Sequence, residues 1–191
     1  MVNIDSTDIP QSLYPLAWLI GKFEGAGTVG GPFGITQSRF NQYTKWEIVG
    51  DTLMFNNEIY KTQALEGEKE IIEEKKAYIA ETGVWKVSKD RPEALVDPQL
   101  FPIEVQITTT LEGVKAFRST LLGVIGKGKI ELVSDKIEIL APELDLANNL
   151  WREKYMFGYV NQRIMWVRDW AMIGDDDGLK SIASAGLWAV E

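Results

Sequence analysis

Glycine or phenylalanine occupies every second position in the stretch Gly-Lys-Phe-Glu-Gly-Ala-Gly, at Gly21, Phe23, Gly25 and Gly27. A period of two places these residues on one face of a β-strand. Three glycines on one face leave almost no side chain there, so the strand either bends sharply or lies against something bulky. The pattern therefore predicts a strand that closes a barrel corner or makes room for a ligand inside the barrel.

A short apolar segment precedes this strand. Leu13, Leu16, Ala17 and Ile20 have the spacing of one helical face, and glycine follows directly. The spacing predicts a helix over residues 11–20 that leads into the first strand.

Short stretches rich in strand-forming residues follow at regular intervals, separated by turn residues. Turns are predicted at residues 50–51, 126–128, 134–135 and 161–162, a bulge at residues 41–42, and a closing helix or strand at residues 179–190. The hairpin arm after residue 162 has Trp166 and Trp170 on one face and Met165 and Val167 on the other. We expect an all-β barrel or sandwich of roughly ten strands, with a flexible segment at residues 1–10 and a single domain at residues 11–191.

Composition restricts the chemistry that is open to the chain. The 191 residues include no cysteine and no histidine, and the net charge is −8. Serine–histidine and cysteine–histidine catalysis and the common zinc sites are therefore excluded. The acidic charge argues against binding of nucleic acid or anionic membranes. Because no leader pattern and no long apolar run occurs, we expect a cytoplasmic protein.

Two charged features of the sequence have simple interpretations. The Asp-Asp-Asp-Gly run at residues 175–178 suggests calcium, but counting back from Gly178 puts Ile173 in the first ligand position, so no metal site is expected. Arg163 and Arg168 could bind an anionic ligand, although pairing with Asp169 or Glu153 is the favoured use.

The order of motifs resembles the nitrobindin family. The sequence from Gly21 to Gly27 is similar to that family's Gly-x-Trp-x-Gly-x-Gly signature, with phenylalanine in the tryptophan position. Residues 81–85 (Glu-Thr-Gly-Val-Trp) and the hairpin at residues 159–166 resemble two further family segments. The similarity extends over residues 13–187.

The resemblance implies a ten-stranded antiparallel calycin-like barrel with haem b in its mouth, held by a histidine near the C-terminus. In this chain the ligand position falls near Ile182, and Thr36 is a candidate for a family haem contact. Since the chain has no histidine, it is most similar to the ferric nitrobindin-like group that lacks the haem ligand.

From this resemblance we expect a barrel that binds a small apolar or amphipathic ligand, without a cofactor and without enzymatic activity. The predicted pocket is lined by Phe23, Trp85, either Met165 or Trp166, and the strands around Val105. One alternative is a haem protein with a non-histidine ligand that acts on peroxynitrite or nitric oxide. Another is a filled barrel that serves protein interaction. Whether the protein forms a homodimer is left open.

Overall fold

The computed structural model describes residues 9–30, 37–64, 70–72, 77–174 and 178–190. They form a closed antiparallel barrel of ten strands with a short 3₁₀ helix before it, which confirms the predicted all-β barrel. The elements are a 3₁₀ helix (Gln11–Leu19), β1 (Gly21–Val29), β2 (Ser38–Val49), β3 (Thr52–Ala64), β4 (Glu70–Ile72), β5 (Ile79–Val87), β6 (Phe101–Leu111), β7 (Val114–Gly126), β8 (Lys129–Ile139), α1 (Asp145–Asn149), β9 (Leu150–Val160), β10 (Arg163–Met172) and β11 (Lys180–Val190).

Strands β5 to β11 pair in chain order, β11 then pairs with β1, and the ring closes through β1–β2, β2–β3 and β3–β5. The short β4 pairs only with the end of β3 and stands outside the ring. The segment at residues 179–190 is thus resolved as a closing strand. Neither helix in the described part of the chain is long and apolar enough to cross a membrane.

Tight turns join most neighbouring strands, and three of the four predicted turns are confirmed. Gly50, Lys127 and Asn161 each have a positive φ, of 63°, 53° and 50°, as hairpin turns require. The turn predicted at residues 134–135 is wrong. Strand β8 runs through this point, and Asp135 is the extra residue of a bulge, since Ser134 pairs with Leu121 and Lys136 with Thr120.

The bulge predicted near Asn41 and Gln42 is also wrong. Strand β2 pairs with both β1 and β3 without a register shift. The apolar alternation breaks because Gln42, a polar residue, is 3% exposed and occupies a buried position of the strand. The break in the pattern therefore marks a polar group inside the barrel.

The N-terminal helix exists but has a different period from the predicted one. Leu13, Leu16 and Leu19 are fully buried, whereas Ala17 is only half-buried. A spacing of three residues is that of a 3₁₀ helix. These leucines join the barrel core, so the helix covers the end of the barrel at which β1 begins.

The glycines of β1 are required by the neighbouring strand and by the core. A Cβ atom on Gly25 would lie 2.0 Å from the carbonyl oxygen of Gly186, and one on Gly27 would lie 2.6 Å from Cζ of Phe40. Both contacts are shorter than any side chain tolerates. The space beside β1 is taken up by the protein itself, which favours the barrel-closure interpretation over a ligand lying on these glycines.

Candidate functional site

An aromatic cluster fills the half of the interior next to the 3₁₀ helix. It consists of Trp46, Phe55, Trp85 and Phe157, whose neighbouring ring centroids are 5.2–6.3 Å apart. Trp46 pairs with Gly21, the first residue of β1 after the helix. These large rings occupy the half of the interior next to the helix, and the charged cluster lies in the other half, called here the distal half.

Three charged side chains meet inside the barrel, beyond the aromatic cluster. Arg168 on β10 donates from Nη1 to Oε1 of Glu81 over 2.9 Å and from Nη2 to Oε2 of Glu153 over 2.8 Å. The side chains of Arg168, Glu81 and Glu153 are 2%, 3% and 0% exposed. Burial of charge is costly unless the groups pair and are hydrogen-bonded, so the three residues act as one unit.

Glu81 is hydrogen-bonded on both carboxylate oxygens. Its Oε1 accepts from the Tyr155 hydroxyl over 2.7 Å and from the Thr109 hydroxyl over 3.2 Å, in addition to Arg168. Its Oε2 accepts from Nδ2 of Asn57 over 2.9 Å. The side chain is therefore held from β3, β6, β9 and β10 at once.

A series of side-chain hydrogen bonds continues from Asn57 inside the barrel. Oδ1 of Asn57 accepts from Nε2 of Gln42 over 2.7 Å and from the Thr44 hydroxyl over 2.8 Å. Oε1 of Gln42 accepts from the indole N–H of Trp166 over 2.9 Å. The polar groups thus support one another, and Gln42 interrupts the apolar pattern because it belongs to this network.

Aromatic rings surround the Arg168 guanidinium. Its Cζ lies 4.7 Å from the ring centroid of Tyr155, 5.0 Å from that of Trp170 and 5.7 Å from that of Phe117. A cation over aromatic faces is stabilised by the ring quadrupoles. These contacts compensate part of the hydration that Arg168 loses on burial.

The protonation states follow from this environment. Burial raises the pKa of Tyr155 well above 10.0; the negative charge of Glu81 raises it further, while Arg168 opposes the shift. Burial lowers the pKa of Arg168, but Tyr155, Glu81 and Glu153 together raise it above its usual value. Tyr155 is therefore a neutral donor, and Arg168 is a permanent cation.

The carboxylate of Glu153 is hydrogen-bonded on only one of its two oxygens within the described residues. Oε2 of Glu153 accepts from Arg168 and, over 3.3 Å, from the indole N–H of Trp170. Oε1 of Glu153 is buried and has no hydrogen-bond partner in the part of the chain that the structure describes. A buried charged oxygen without a donor is costly, and this atom distinguishes Glu153 from Glu81.

The predicted ligand position lies beside this cluster. Ile182 is 2% exposed and is the extra residue of a bulge in β11, since Arg168 pairs with Ala183 and Asp169 with Ser181. Its carbonyl accepts from the Gly30 N–H over 2.8 Å. That Ile182 takes the position of a haem ligand stays a prediction.

The other predicted lining residues lie in different places. Phe23 and Trp85 are buried, Trp85 within the aromatic cluster, and Trp166 is 7% exposed and bonded to Gln42. Met165 does not face the interior as expected: it is 45% exposed on the outer face of β10, where the alternation places it opposite to Trp166. Thr36, the aspartates at 175–177 and most of residues 1–10 and of the polar segment 63–76 lie outside the described residues.

The pairing of Arg168 with Glu153 is confirmed, but sequence reasoning missed the role of Glu81. Glu81 appears in the family-like Glu-Thr-Gly-Val-Trp segment, and no function follows from that motif alone. The sequence feature that indicates its role is the alternation along β5. Ile79, Gly83 and Trp85 are buried at alternate positions, and Glu81 occupies a position of the same series. A carboxylate at an inward position predicts a buried partner.

These features define a class: a closed ten-stranded β-barrel in which aromatic rings fill the end next to the 3₁₀ helix and a buried charged cluster lies beyond them. The family described as the THAP4-like, heme-binding beta-barrel domain matches residues 12–187. The chain belongs to this family, whose members include the nitrobindins.

Relatives carry two different names. The chain is 31% identical over 186 residues to a ferric nitrobindin-like protein of Kineococcus radiotolerans, covering 95% of this chain and 94% of that protein. It is 28% identical over 204 residues to a peroxynitrite isomerase of Kocuria rhizophila, covering 97% and 94%. Among solved structures, Rv2717c from M. tuberculosis has a similar fold, with a TM-score of 0.66 at 16% identity over 96% of this chain and 100% of that one.

The residues around Ile182 do not fit a haem of the family's kind. The sequence has no histidine or cysteine to ligate iron. Tyrosine can ligate haem iron as a phenolate, but the Tyr155 hydroxyl already donates to Glu81 over 2.7 Å, and burial raises its pKa well above 10.0. The neighbouring charged cluster has two carboxylates and one guanidinium, which disfavours the approach of negatively charged propionates.

Proposed function

We propose that this protein is a nitrobindin-like carrier that binds a small apolar or amphipathic molecule in the distal half of its barrel, without stable haem ligation and without catalysis. The observation that carries the proposal is the apolar Ile182 in the bulge of β11, next to a charged cluster that holds no histidine or cysteine. The family fold provides the binding site, and these residues change what it can hold.

The lining supports an apolar ligand body. Buried aliphatic residues lie near the strand ends of the distal half of the barrel, beyond the charged cluster. They are Val29, Ile59, Ile79, Leu111, Met172 and Ile182, each 8% exposed or less. A ring of aliphatic side chains favours hydrocarbon over polar ligands.

Binding of a neutral apolar probe tests the carrier function directly. Titration with N-phenyl-1-naphthylamine should give saturable fluorescence enhancement at one equivalent, and dodecanol should displace it. Native mass spectrometry of freshly purified protein should show a retained small molecule. Failure of neutral and charged apolar probes alike to bind would overturn the proposal and leave the filled barrel that serves protein interaction.

The names of two relatives, peroxynitrite isomerase, favour a second candidate. In that case the chain binds haem through a non-histidine ligand and acts on peroxynitrite or nitric oxide. Titration with ferric haem separates the two functions. We expect the visible spectrum of free haem plus protein; a sharp Soret shift that saturates at one equivalent would support the haem protein instead.

A substitution at the predicted ligand position sharpens this test. Ile182→His should introduce the missing ligand and produce a saturable Soret shift. Ser181→His, at the exposed neighbouring residue, is the matched control and should leave the spectrum unchanged. Equal spectra for the two variants would show that Ile182 does not occupy the ligand position.

A further inference from the structure

The interior of the barrel has an unbalanced charge. Glu81, Glu153 and Arg168 are the buried charged side chains in the described part of the chain. With both carboxylates ionised, the cluster has a net charge of −1. The nearest distances between the guanidinium and the carboxylates are 2.9 Å and 2.8 Å, so the cation is shared and cannot neutralise both.

The hydrogen bonds locate the imbalance at one atom. Both oxygens of Glu81 are occupied, whereas Oε1 of Glu153 has no donor. No hydrogen bond of Arg168 reaches this oxygen: its Nε and Nη2 bond to Oε2 of Glu153, its Nη2 also bonds to the Thr109 hydroxyl, and its Nη1 bonds to Glu81. Within the described residues no donor reaches this oxygen, so a donor on a bound molecule can take the position.

Glu153 lies on the side of the barrel away from the 3₁₀ helix, from which a ligand could reach this oxygen. Glu153 pairs across β9–β10 with Trp170, which in turn pairs with Lys180 near the start of β11. Beyond Glu153, Leu150 pairs with Met172, and both are buried apolar residues. An entering molecule thus meets apolar side chains first and the carboxylate after them.

We propose that the ligand has a protonated amine head that donates to Oε1 of Glu153, with an apolar body held by the buried aliphatic side chains at the strand ends. This assignment rests on the proposed carrier function and specifies its ligand class. One ammonium group supplies both the missing hydrogen bond and the missing positive charge. A carboxylate head would add a third negative charge to a buried cluster that has one cation.

Calorimetric titration of the intact protein with three probes of equal chain length tests the head group. Dodecylammonium, dodecanol and dodecanoate are compared below their aggregation concentrations. We expect dodecylammonium to bind at one equivalent about tenfold or more tightly than dodecanoate, with dodecanol between them. Equal or tighter binding of dodecanoate overturns the amine head but leaves the carrier function intact, whereas absence of binding by all three overturns both.

Two variants separate a specific site from attraction to an acidic surface. Glu153→Gln should reduce the preference for dodecylammonium over dodecanol to about threefold or less. Glu143→Gln removes the same charge from an exposed position and should preserve the preference. Equal losses in the two variants would show that the amine binds through the net charge of the protein and would overturn the proposal.

A spectroscopic measurement on the wild-type protein does not depend on a folded Glu153 variant. The indole N–H of Trp170 donates to the same carboxylate, so its ¹H–¹⁵N resonance, assigned with Trp170→Phe, should shift as dodecylammonium saturates. The exposed Trp188 indole serves as the internal reference. A shift at Trp188 without one at Trp170 places the amine outside the barrel and overturns the assignment.

Discussion

Arg168 and Glu81 form an ion pair across the interior of the barrel, with Nη1 of the arginine 2.9 Å from Oε1 of the glutamate. Their strands, β10 and β5, stand five places apart in either direction around the ring of ten. The pair therefore connects opposite walls. It separates the aromatic cluster at the helix end from the distal half, in which we place the ligand.

Removal of the shared cation should be strongly destabilising. Arg168→Met leaves two buried carboxylates without a cation, and loss of one member of a buried ion pair costs about 3–5 kcal/mol of unfolding free energy. Urea unfolding measures the loss. Arg118→Met, which breaks an ion pair with Glu138 whose side chains are 51% and 49% exposed, should change the free energy of unfolding by at most about 0.5 kcal/mol.

A triple variant provides the complementary test of the same cluster. Arg168→Met combined with Glu81→Gln and Glu153→Gln removes all three charges, so part of the lost stability should return. A triple variant less stable than Arg168→Met would show that the charged groups contribute more than they cost.

The glycines of β1 should tolerate no side chain. In Gly25→Ala the new Cβ would lie 2.0 Å from the Gly186 carbonyl oxygen, so β1 and β11 must separate, and we expect a loss of about 1–3 kcal/mol or more. Gly158→Ala is the matched control, because its nearest neighbour, Cγ2 of Val160, is 3.9 Å away. Equal stability of the two variants in urea unfolding would contradict the close-approach argument.

Much of the fold can be predicted from local pattern. Alternation along β1 and β10 gives the buried faces, and turn-forming residues such as Asn161 mark the hairpins. Ser134 and Asp135 are equally typical of a turn, yet β8 passes through them, because a bulge can absorb one residue without ending the strand. Composition alone does not distinguish these two outcomes.

The charged cluster depends on information that local pattern lacks. Arg168 is 15 residues from Glu153 but 87 residues from Glu81. The first pair lies within one hairpin and can be expected from the sequence. The second depends on how ten strands close into a ring, so only the inward phase of Glu81 indicates that it needs a buried partner.

Alkaline pH should destabilise the protein through Tyr155. Burial raises the pKa of Tyr155 in the folded state well above 10.0, whereas an unfolded tyrosine titrates near its ordinary value. The stabilisation is therefore fully present below about pH 10 and is lost as pH rises above it, with a slope of about 1.4 kcal/mol per pH unit for one proton.

The slope of stability against pH isolates this residue. Unfolding free energies of the wild type and Tyr155→Phe are compared between about pH 9 and pH 11. The variant loses the hydrogen bond to Glu81 at every pH, but its slope above about pH 10 should be shallower than that of the wild type. Tyr14→Phe, at a tyrosine that is 55% exposed, should retain the wild-type slope; parallel curves for all three proteins would contradict the assignment.

The 3₁₀ helix should behave as part of the barrel core. Leu16 is fully buried, and truncation of a buried leucine to alanine costs about 2–5 kcal/mol because a cavity remains. Leu16→Ala should therefore lower the urea midpoint strongly. Gln11→Ala, at an exposed position of the same helix, should change stability by at most about 0.5 kcal/mol. A loss below about 1 kcal/mol for Leu16→Ala would mean that the barrel end closes without the helix, and ligand entry from that end would then have to be reconsidered.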